Sequence, residues 1–304
     1  MTHEANSPTN QNSNHRNQKL MRWATYASVT TAVILILIKT WAWYVTSSVA
    51  LMSSLIDSLM DCFASLVTLT TVAHALTPAD KEHRFGHGKA ESLGALAQSA
   101  FIAASAILLM IEASNRFYSP KPVTSSDVGT VVMIASIIIT LCLLGFQQMV
   151  LKRTDSVAIK ADALHYLGDL LPNIGVIATL WLAGPMGWTY LDPAFALAVS
   201  VYLLFNAWRI VREALRVLMD HELPDTDREA IFQRAMSQSQ VIAVRDLRTR
   251  QAGTTVFIQM DLELSPELSL QVAHDIADCV TKDIQAAYPM AEVMVHQFPK
   301  GAHD

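Results

Sequence analysis

Cysteine and charge are both scarce in this chain of 304 residues, and each shortage argues against a class of protein. The three cysteines, Cys62, Cys142 and Cys279, lie far apart without CxxC spacing, which argues against a disulfide framework and a thiolate zinc knuckle. Charged residues make up 16% of the chain, against about 25% in soluble proteins, and this shortage is typical of membrane proteins. The net charge of -5 includes no basic excess, so nucleic acid is not an expected partner.

Long apolar segments are abundant, and six of them are near or above the roughly 20 residues that cross a bilayer as a helix. The polar residues 1–19, rich in Asn and Gln, precede them and predict a disordered tail. The pattern indicates an all-α transmembrane domain over residues 20–220. Its six helices are expected at 21–44, 49–77, 91–117, 127–151, 157–183 and 189–219.

Lysine and arginine gather on one side of this predicted bundle. The loops of the opposite side carry only Arg116 and Lys121. By the positive-inside rule, both termini are therefore expected in the cytoplasm. Lys39 lies in the first apolar segment, about one turn from its outer end, and long basic side chains in such positions reach towards the interface. We therefore expect the ammonium of Lys39 to point outward.

From about residue 221 the sequence changes to that of a soluble domain. A helical pattern opens at Asp225, and two strands are predicted at 241–251 and 254–264. A second helical pattern begins at Leu270 and a last strand is predicted at 291–297. The order αββαβ predicts a two-layer α+β domain over 221–304 on the cytoplasmic side. A domain of about 80 residues is marginal alone, and pairing with a second copy would stabilise it.

Two pairs of polar residues stand out inside the apolar segments: Asp57 and Asp61 in the second, and His165 and Asp169 in the fifth. Each pair is spaced i, i+4, so both side chains project from one face of a helix. At 1.5 Å per residue, each pair lies ~12–18 Å from the end of its helix, and the two helices enter from opposite sides. The pairs therefore meet near the middle of a ~30 Å core. Three carboxylates and one imidazole predict a tetrahedral site for a divalent metal such as Zn²⁺.

Three alternatives compete with a metal transport site. Buried carboxylates can pair with basic residues, but no Lys or Arg is expected at matching depth. A membrane metalloenzyme needs an open coordination position and a separate base, and the chain contains no HExxH motif. A membrane-anchored metal sensor needs fewer than six spans. Charged residues at membrane depth are typical of ion pathways, so the sequence favours transport.

The same four residues predict exchange of metal for protons. Metal binding requires ionised aspartates and a neutral histidine, so a metal ion and protons compete for the site. Three carboxylates crowded into a low-dielectric pocket favour protonation when the metal is absent. His165 is the expected proton carrier, since imidazole titrates closest to neutral pH.

Two weaker groups of metal-ligating residues lie outside the apolar segments. The loop after the second segment contains Asp80, His83 and His87, which can fold around one metal or remain a solvated loop. In the soluble domain, a cytoplasmic metal site is a weaker alternative to ordinary surface polarity. Its candidate ligands are Asp261, His274 and His296.

Three motifs together resemble the cation diffusion facilitator family, in its bacterial zinc/ferrous-iron efflux branch. They are Ser58-Leu-Met-Asp61 after Asp57, Phe85-Gly-His-Gly-Lys-Ala-Glu91, and Ala161-Asp-Ala-Leu-His165-Tyr-Leu-Gly-Asp169. Asp246-Leu-Arg-Thr-Arg-Gln251 and Val295-His-Gln297 extend the resemblance into the soluble domain. The resemblance implies a homodimeric, proton-coupled antiporter of the inner membrane that exports Zn²⁺, Fe²⁺ or Cd²⁺, uses no organic cofactor, and has a metallochaperone-like cytoplasmic domain.

The resemblance also assigns roles to residues. It implies that the two intramembrane pairs form the transport site, that the loop residues bind metal, and that Lys89 and Asp220 form a charge pair that helps lock two protomers together. The chain departs from the family at the cytoplasmic site, where histidine is expected in place of Arg245 and Asp261, and an acidic residue in place of Phe298. These departures predict one weak metal site or none in the soluble domain, and a dimer that depends less on zinc.

Overall fold

The computed structural model describes residues 8–47, 49–118, 127–186 and 191–301. Six helices come first, followed by a small domain of two helices and three strands, which confirms the predicted fold class. The first six helices are α1 (Pro8–Thr46), α2 (Val49–Ala75), α3 (Ala90–Tyr118), α4 (Asp127–Thr154), α5 (Val157–Met186) and α6 (Leu191–Leu218). The small domain contains α7 (Asp225–Met236), β1 (Ala243–Ala252), β2 (Thr255–Leu264), α8 (Leu270–Ala287) and β3 (Ala291–Pro299).

Close backbone contacts divide the chain into two compact units. The membrane unit contains Asn17–Thr77 and Ala90–Ala214. The second unit contains the described residues within Met1–Arg16, Pro78–Lys89 and Leu215–Asp304. The loop between α2 and α3 therefore belongs with the C-terminal domain, whereas the sequence placed it within a continuous transmembrane domain over 20–220.

Helix α1 begins earlier than the sequence indicated. It is helical from Pro8, so residues 8–19 do not form the predicted disordered tail, and the rest of that tail lies outside the described residues. Extending an existing helix avoids the cost of nucleation, which explains why polar residues of modest helical propensity continue it. Lys121, which contributed to the predicted orientation, also lies outside the described residues.

Five helices in the described part of the chain are long and apolar enough to cross a membrane: α1, α2, α3, α4 and α6. Helix α5 carries Lys160, Asp162 and Asp169 along its length. Small residues line the contacts of α3 with its neighbours, among them Ala95 and Ala106, and let the backbones approach closely.

The C-terminal domain packs α7 and α8 on one face of a three-stranded sheet in the order β1-β2-β3. Strands β1 and β2 are antiparallel, and β2 and β3 are parallel. Ile258, Met260 and Leu262 alternate along β2 and are buried against Val280 and Ile284 of α8, as their spacing predicts. The turn between β1 and β2 has Gly253 in the left-handed region, at φ +60°, where glycine avoids a steric cost.

Candidate metal centre

The membrane unit brings three of the four predicted transport residues together. Nε2 of His165 lies 3.2 Å from Oδ1 of Asp61 and 3.8 Å from Oδ2 of Asp169. One ligand atom from each of the three residues lies within 4.8 Å of the other two. Asp61 and His165 are buried between helices. Two carboxylates and an imidazole at this separation match the donor set of a divalent metal site.

Asp57 lies outside this group of three. It is exposed on α2, one turn before Asp61. The i, i+4 spacing leaves both aspartates on the same face of the helix. Asp57 therefore lies next to the three clustered residues rather than among them.

Lys39 does not point outward as the sequence predicted. Its ammonium donates hydrogen bonds to Oγ of Ser58, at 2.7 Å, and to the backbone carbonyl of Ser54, at 3.1 Å. Ser58 lies between Asp57 and Asp61 in the sequence. A basic side chain is therefore present at the depth of the site, contrary to the expectation that none would be.

In the second unit, the loop residues Asp80, His83 and His87 also come together. Nδ1 of His83 and Nε2 of His87 each lie 3.4 Å from a carboxylate oxygen of Asp80. The imidazole rings are 4.5 Å apart. The backbone N–H groups of His83 and Glu82 donate to Asp80 at 2.6 and 2.9 Å. These bonds, that of His83 above all, lower the pKa of Asp80 below its ordinary value and keep it charged. A charged oxygen ligand is thus fixed in place.

The three cytoplasmic candidates do not converge in the same way. Nδ1 of His296 lies 3.4 Å from Oδ1 of Asp261, and the two residues are partners in the β2–β3 register. His274 lies on α8 beside Asp278, at 4.0 Å. Among the described residues, two groups of three potential metal ligands occur: the transport group, Asp61, His165 and Asp169, and the loop group, Asp80, His83 and His87. Neither group contains a residue of this domain's sheet or helices.

Arg245 already has an acidic partner. Its guanidinium bonds Oε2 of the buried Glu263 through Nη2 at 2.8 Å and Nε at 3.0 Å. Arg245 is also opposite Asp261 in the β1–β2 register. Arg245 therefore occupies the position across from Asp261 with a side chain already paired to Glu263, and it supplies no metal ligand there.

Lys89 and Asp220 form an ion pair of 2.9 Å within one chain. Arg250 adds a second contact, with Nη1 at 3.3 Å from Asp220. Its guanidinium also lies over the rings of Phe85 and Phe257, at 4.9 and 4.5 Å from their centroids. This contact between the loop and the sheet was not foreseen from the sequence, since nothing in local spacing pairs Phe85 with β1 and β2.

Comparison with known proteins assigns the family. The model of the cation efflux transmembrane domain matches residues 25–219, and that of the cation efflux protein cytoplasmic domain matches residues 223–300. The chain belongs to the cation diffusion facilitators. The resemblance read from the motifs is therefore confirmed. This is a family of transporters rather than enzymes, which removes the metalloenzyme alternative.

Curated relatives include the cation-efflux pump FieF of Escherichia coli strain K12 / DH10B and that of strain EC4115 of O157:H7. Each is 43% identical to this cation diffusion facilitator over 281 residues, which is 92% of this chain and 93% of the relative. Solved structures of MamM CTD variants, in nickel and cadmium forms, share 22% identity and give a TM-score of 0.24. They align with 25% of this chain and with 99% and 96% of their own.

Proposed function

We propose that this cation diffusion facilitator exports Zn²⁺ from the cytoplasm in exchange for protons. The observation that carries the proposal is the group formed by Asp61, His165 and Asp169 inside the membrane unit. Carboxylates within an apolar helical bundle are costly unless they bind or carry an ion. The 43% identity to cation-efflux pumps along nearly the whole chain supports the direction of transport.

Asp57 is the fourth ligand in this proposal. It lies on the same face of α2 as Asp61, so a rotation of its side chain brings a carboxylate towards the group of three. The resulting set has three oxygen donors and one nitrogen donor. Oxygen-rich sites exclude hard divalent ions less strongly than histidine-rich sites do, so Fe²⁺ is a further substrate and Mn²⁺ is a substrate to be tested. Cd²⁺, a softer ion, is included because the family resemblance implies it.

Protons and metal compete for the same atoms in this mechanism. His165 must be neutral and the aspartates must be ionised before Zn²⁺ binds, so loading releases protons. Protons that enter from the opposite side then displace the metal. His165 lies within hydrogen-bonding distance of Asp61, which gives it a direct route for proton exchange with a ligand carboxylate.

The proposed arrangement in the cell is a homodimer in the inner membrane, with both termini in the cytoplasm. The loop residues Asp80, His83 and His87 bind a second metal ion, held beside the C-terminal domain. Asp261 and His296 form at most a weak cytoplasmic site. Association of the C-terminal domains therefore rests on apolar contacts more than on zinc.

Zn²⁺ flux into proteoliposomes under an imposed pH gradient tests the proposal. Reversing the gradient should reverse the direction of net Zn²⁺ movement, and collapsing it with a protonophore should slow uptake. Mn²⁺, Fe²⁺ and Cd²⁺ measured in the same vesicles would rank the substrates. Zn²⁺ flux that is indifferent to the gradient would contradict proton exchange and leave only a metal pathway.

A further inference from the structure

A buried carboxylate close to the transport group has no role in the mechanism above. Asp162 lies on α5 three residues before His165 and is 1% exposed. Its Oδ2 accepts a hydrogen bond of 2.5 Å from the hydroxyl of Ser28 on α1 and one of 2.8 Å from the amide of Gln147 on α4. Within the described part of the membrane unit, no Lys or Arg forms an ion pair with it. Asp162 is therefore held by neutral donors only.

Several buried polar atoms around Asp162 lack hydrogen-bond partners. Oδ1 of Asp162, Oε1 of Gln147 and Oγ1 of Thr68 are all buried without a hydrogen-bond partner among the described residues. Thr68 lies close enough to the Asp162 carboxyl group for its hydroxyl to donate to it, but this single proton can serve only one of the two unpartnered acceptor oxygens. When the carboxyl group is ionised, Oδ1 of Asp162 and Oε1 of Gln147 can accept hydrogen bonds but cannot donate them. The cluster therefore has more acceptors than donors.

One added proton corrects this imbalance. A proton on Oδ1 turns an acceptor into a donor, which can bond the carbonyl of Gln147 or the hydroxyl of Thr68. The Gln147 amide already donates to Oδ2, so a protonated carboxyl group and this amide are complementary. Burying an ionised carboxylate with an unpaired oxygen costs several kcal/mol more than burying a neutral, bonded one.

The titratable groups that face Asp162 come mainly from its own helix and from α2. His165 and Tyr166 of α5 interact with it electrostatically, and Asp61 of α2 acts on the same tyrosine. The Tyr166 hydroxyl is occupied by Ser65 and by the backbone carbonyl of Ser28, both at 2.9 Å. The contacts from α1 and α4 are the uncharged Ser28 and Gln147.

We propose that Asp162 is a proton-binding site separate from the metal ligands, and that it releases its proton when a divalent ion binds at Asp61, His165 and Asp169. The inference rests on the proposed function and adds a proton carrier to it. The positive charge of a metal one turn away favours the ionised carboxylate. The O–H bond at Oδ1 then breaks, the electron pair stays on the oxygen, and the proton passes to water.

Infrared difference spectroscopy of the purified full-length protein tests the protonation directly. Adding Zn²⁺ to the wild type should remove a carbonyl band of a protonated carboxylic acid, and Asp162→Asn should lack that component of the difference. Ser28→Ala, which keeps the carboxyl group and loses one hydrogen bond, should keep the band and shift its frequency. If the wild type shows no protonated-carboxyl band lost with Zn²⁺, the proposal is overturned, whether or not Asp162→Asn folds.

The number of protons released per bound Zn²⁺ provides a second test of the proposal. Measured with a pH indicator in weak buffer, release by Asp162→Asn should be smaller than that of the wild type by up to one proton. Equal release at every pH between about 6 and 8 would overturn the role of Asp162. Zn²⁺ flux in proteoliposomes separates the two claims. Wild-type flux that ignores the pH gradient contradicts proton exchange as a whole, whereas coupled flux with unchanged proton release in the variant contradicts only Asp162.

Discussion

The ammonium of Lys39 lies 2.7 Å from the hydroxyl of Ser58, on the helix that carries Asp57 and Asp61. Lys39 also interacts electrostatically with Asp61, Asp169 and Asp57. A basic side chain therefore lies beside the group formed by Asp61, His165 and Asp169. In its protonated form Lys39 balances the carboxylates when no metal is bound and opposes a divalent ion that approaches them.

Removing this charge should strengthen metal binding. In Lys39→Met the repulsion between the ammonium and Zn²⁺ is lost, and we expect the Kd for Zn²⁺ to fall on the order of tenfold. Lys39→Arg keeps the charge and should bind Zn²⁺ as the wild type does. Isothermal titration of the purified protein measures both. Weaker binding by Lys39→Met would instead show that Lys39 mainly holds α2 in position.

Asp57 and Asp61 should both contribute to the bound metal despite their different positions. X-ray absorption spectroscopy of the zinc-loaded protein should show four oxygen or nitrogen donors at about 2.0–2.2 Å. Because Zn²⁺ at the loop would add to this signal, Asp80→Asn and His83→Gln are introduced first. In that background Asp57→Asn and Asp61→Asn should each lower Zn²⁺ affinity more than tenfold. An unchanged affinity in Asp57→Asn would reduce the site to three protein ligands.

The pH dependence of stability provides a test of the Lys89–Asp220–Arg250 network. Partial burial works against the charged form of Asp220, but hydrogen bonds from Lys89 and Arg250 outweigh it and lower the pKa of Asp220 below its ordinary value. A lowered folded-state pKa means that the stabilisation is fully present above the unfolded pKa of about 3.9 and is lost as the pH falls through the folded value.

Asp220→Asn should therefore be less stable than the wild type at pH 7, by at most about 1 kcal/mol because the pair is solvent-exposed. Asparagine tolerates the left-handed backbone at this position, where φ is +52°. Thermal unfolding of the full chain should show a constant difference between pH 7 and 5 that closes below about pH 4. A difference that disappears already at pH 6 would assign the effect to another group.

The Arg245–Glu263 pair should matter more for stability than its exposed neighbour. Glu263 has a side chain that is 6% exposed, so Arg245→Ala leaves a buried carboxylate without its partner and should cost about 1–3 kcal/mol. Arg248→Ala, which removes the exposed pair with Asp246 on the same strand, is the matched control and should cost less than about 1 kcal/mol. Urea unfolding of the 222–304 fragment compares them, and equal losses would contradict the assigned burial.

Zinc titration of the same fragment tests the weak cytoplasmic site. Arg245 is the register partner of Asp261, and His274 is not grouped with His296, so we expect one weak site or none. Sedimentation should show the same oligomeric state with zinc and with chelator. Two tight zinc sites per chain would contradict this interpretation.

The transport group could be predicted from the sequence because helical rise is regular. Counting residues from each end of the predicted spans placed Asp61 and His165 at one depth, and the structure puts them 3.2 Å apart. Lys39 is 8 residues and Ser58 is 11 residues from the turn near residue 47, so counting alone leaves them about 4.5 Å apart in depth. The long side chain of Lys39 covers this difference, whereas the general tendency of lysine to reach the interface predicts the opposite direction.

Contacts that cross between distant segments could not be predicted in the same way. The loop contact of Phe85 with Arg250 and Phe257 depends on how the loop folds against the sheet. The pairing of Asp261 with His296 depends on the parallel register of β2 and β3, which the intervening helix α8 sets. The role proposed for Asp162 could not be predicted from the sequence, because it rests on buried polar atoms without hydrogen-bond partners, and residue spacing does not reveal those.

Zn²⁺ uptake into proteoliposomes by Asp169→Asn tests the central claim most directly. The matched control is Asp155→Asn, which removes the same charge from an exposed turn just before α5, at a left-handed position that asparagine tolerates. We predict that uptake falls at least tenfold in Asp169→Asn and is unchanged in Asp155→Asn. Uptake by Asp169→Asn at the wild-type rate would contradict a transport pathway through Asp61, His165 and Asp169.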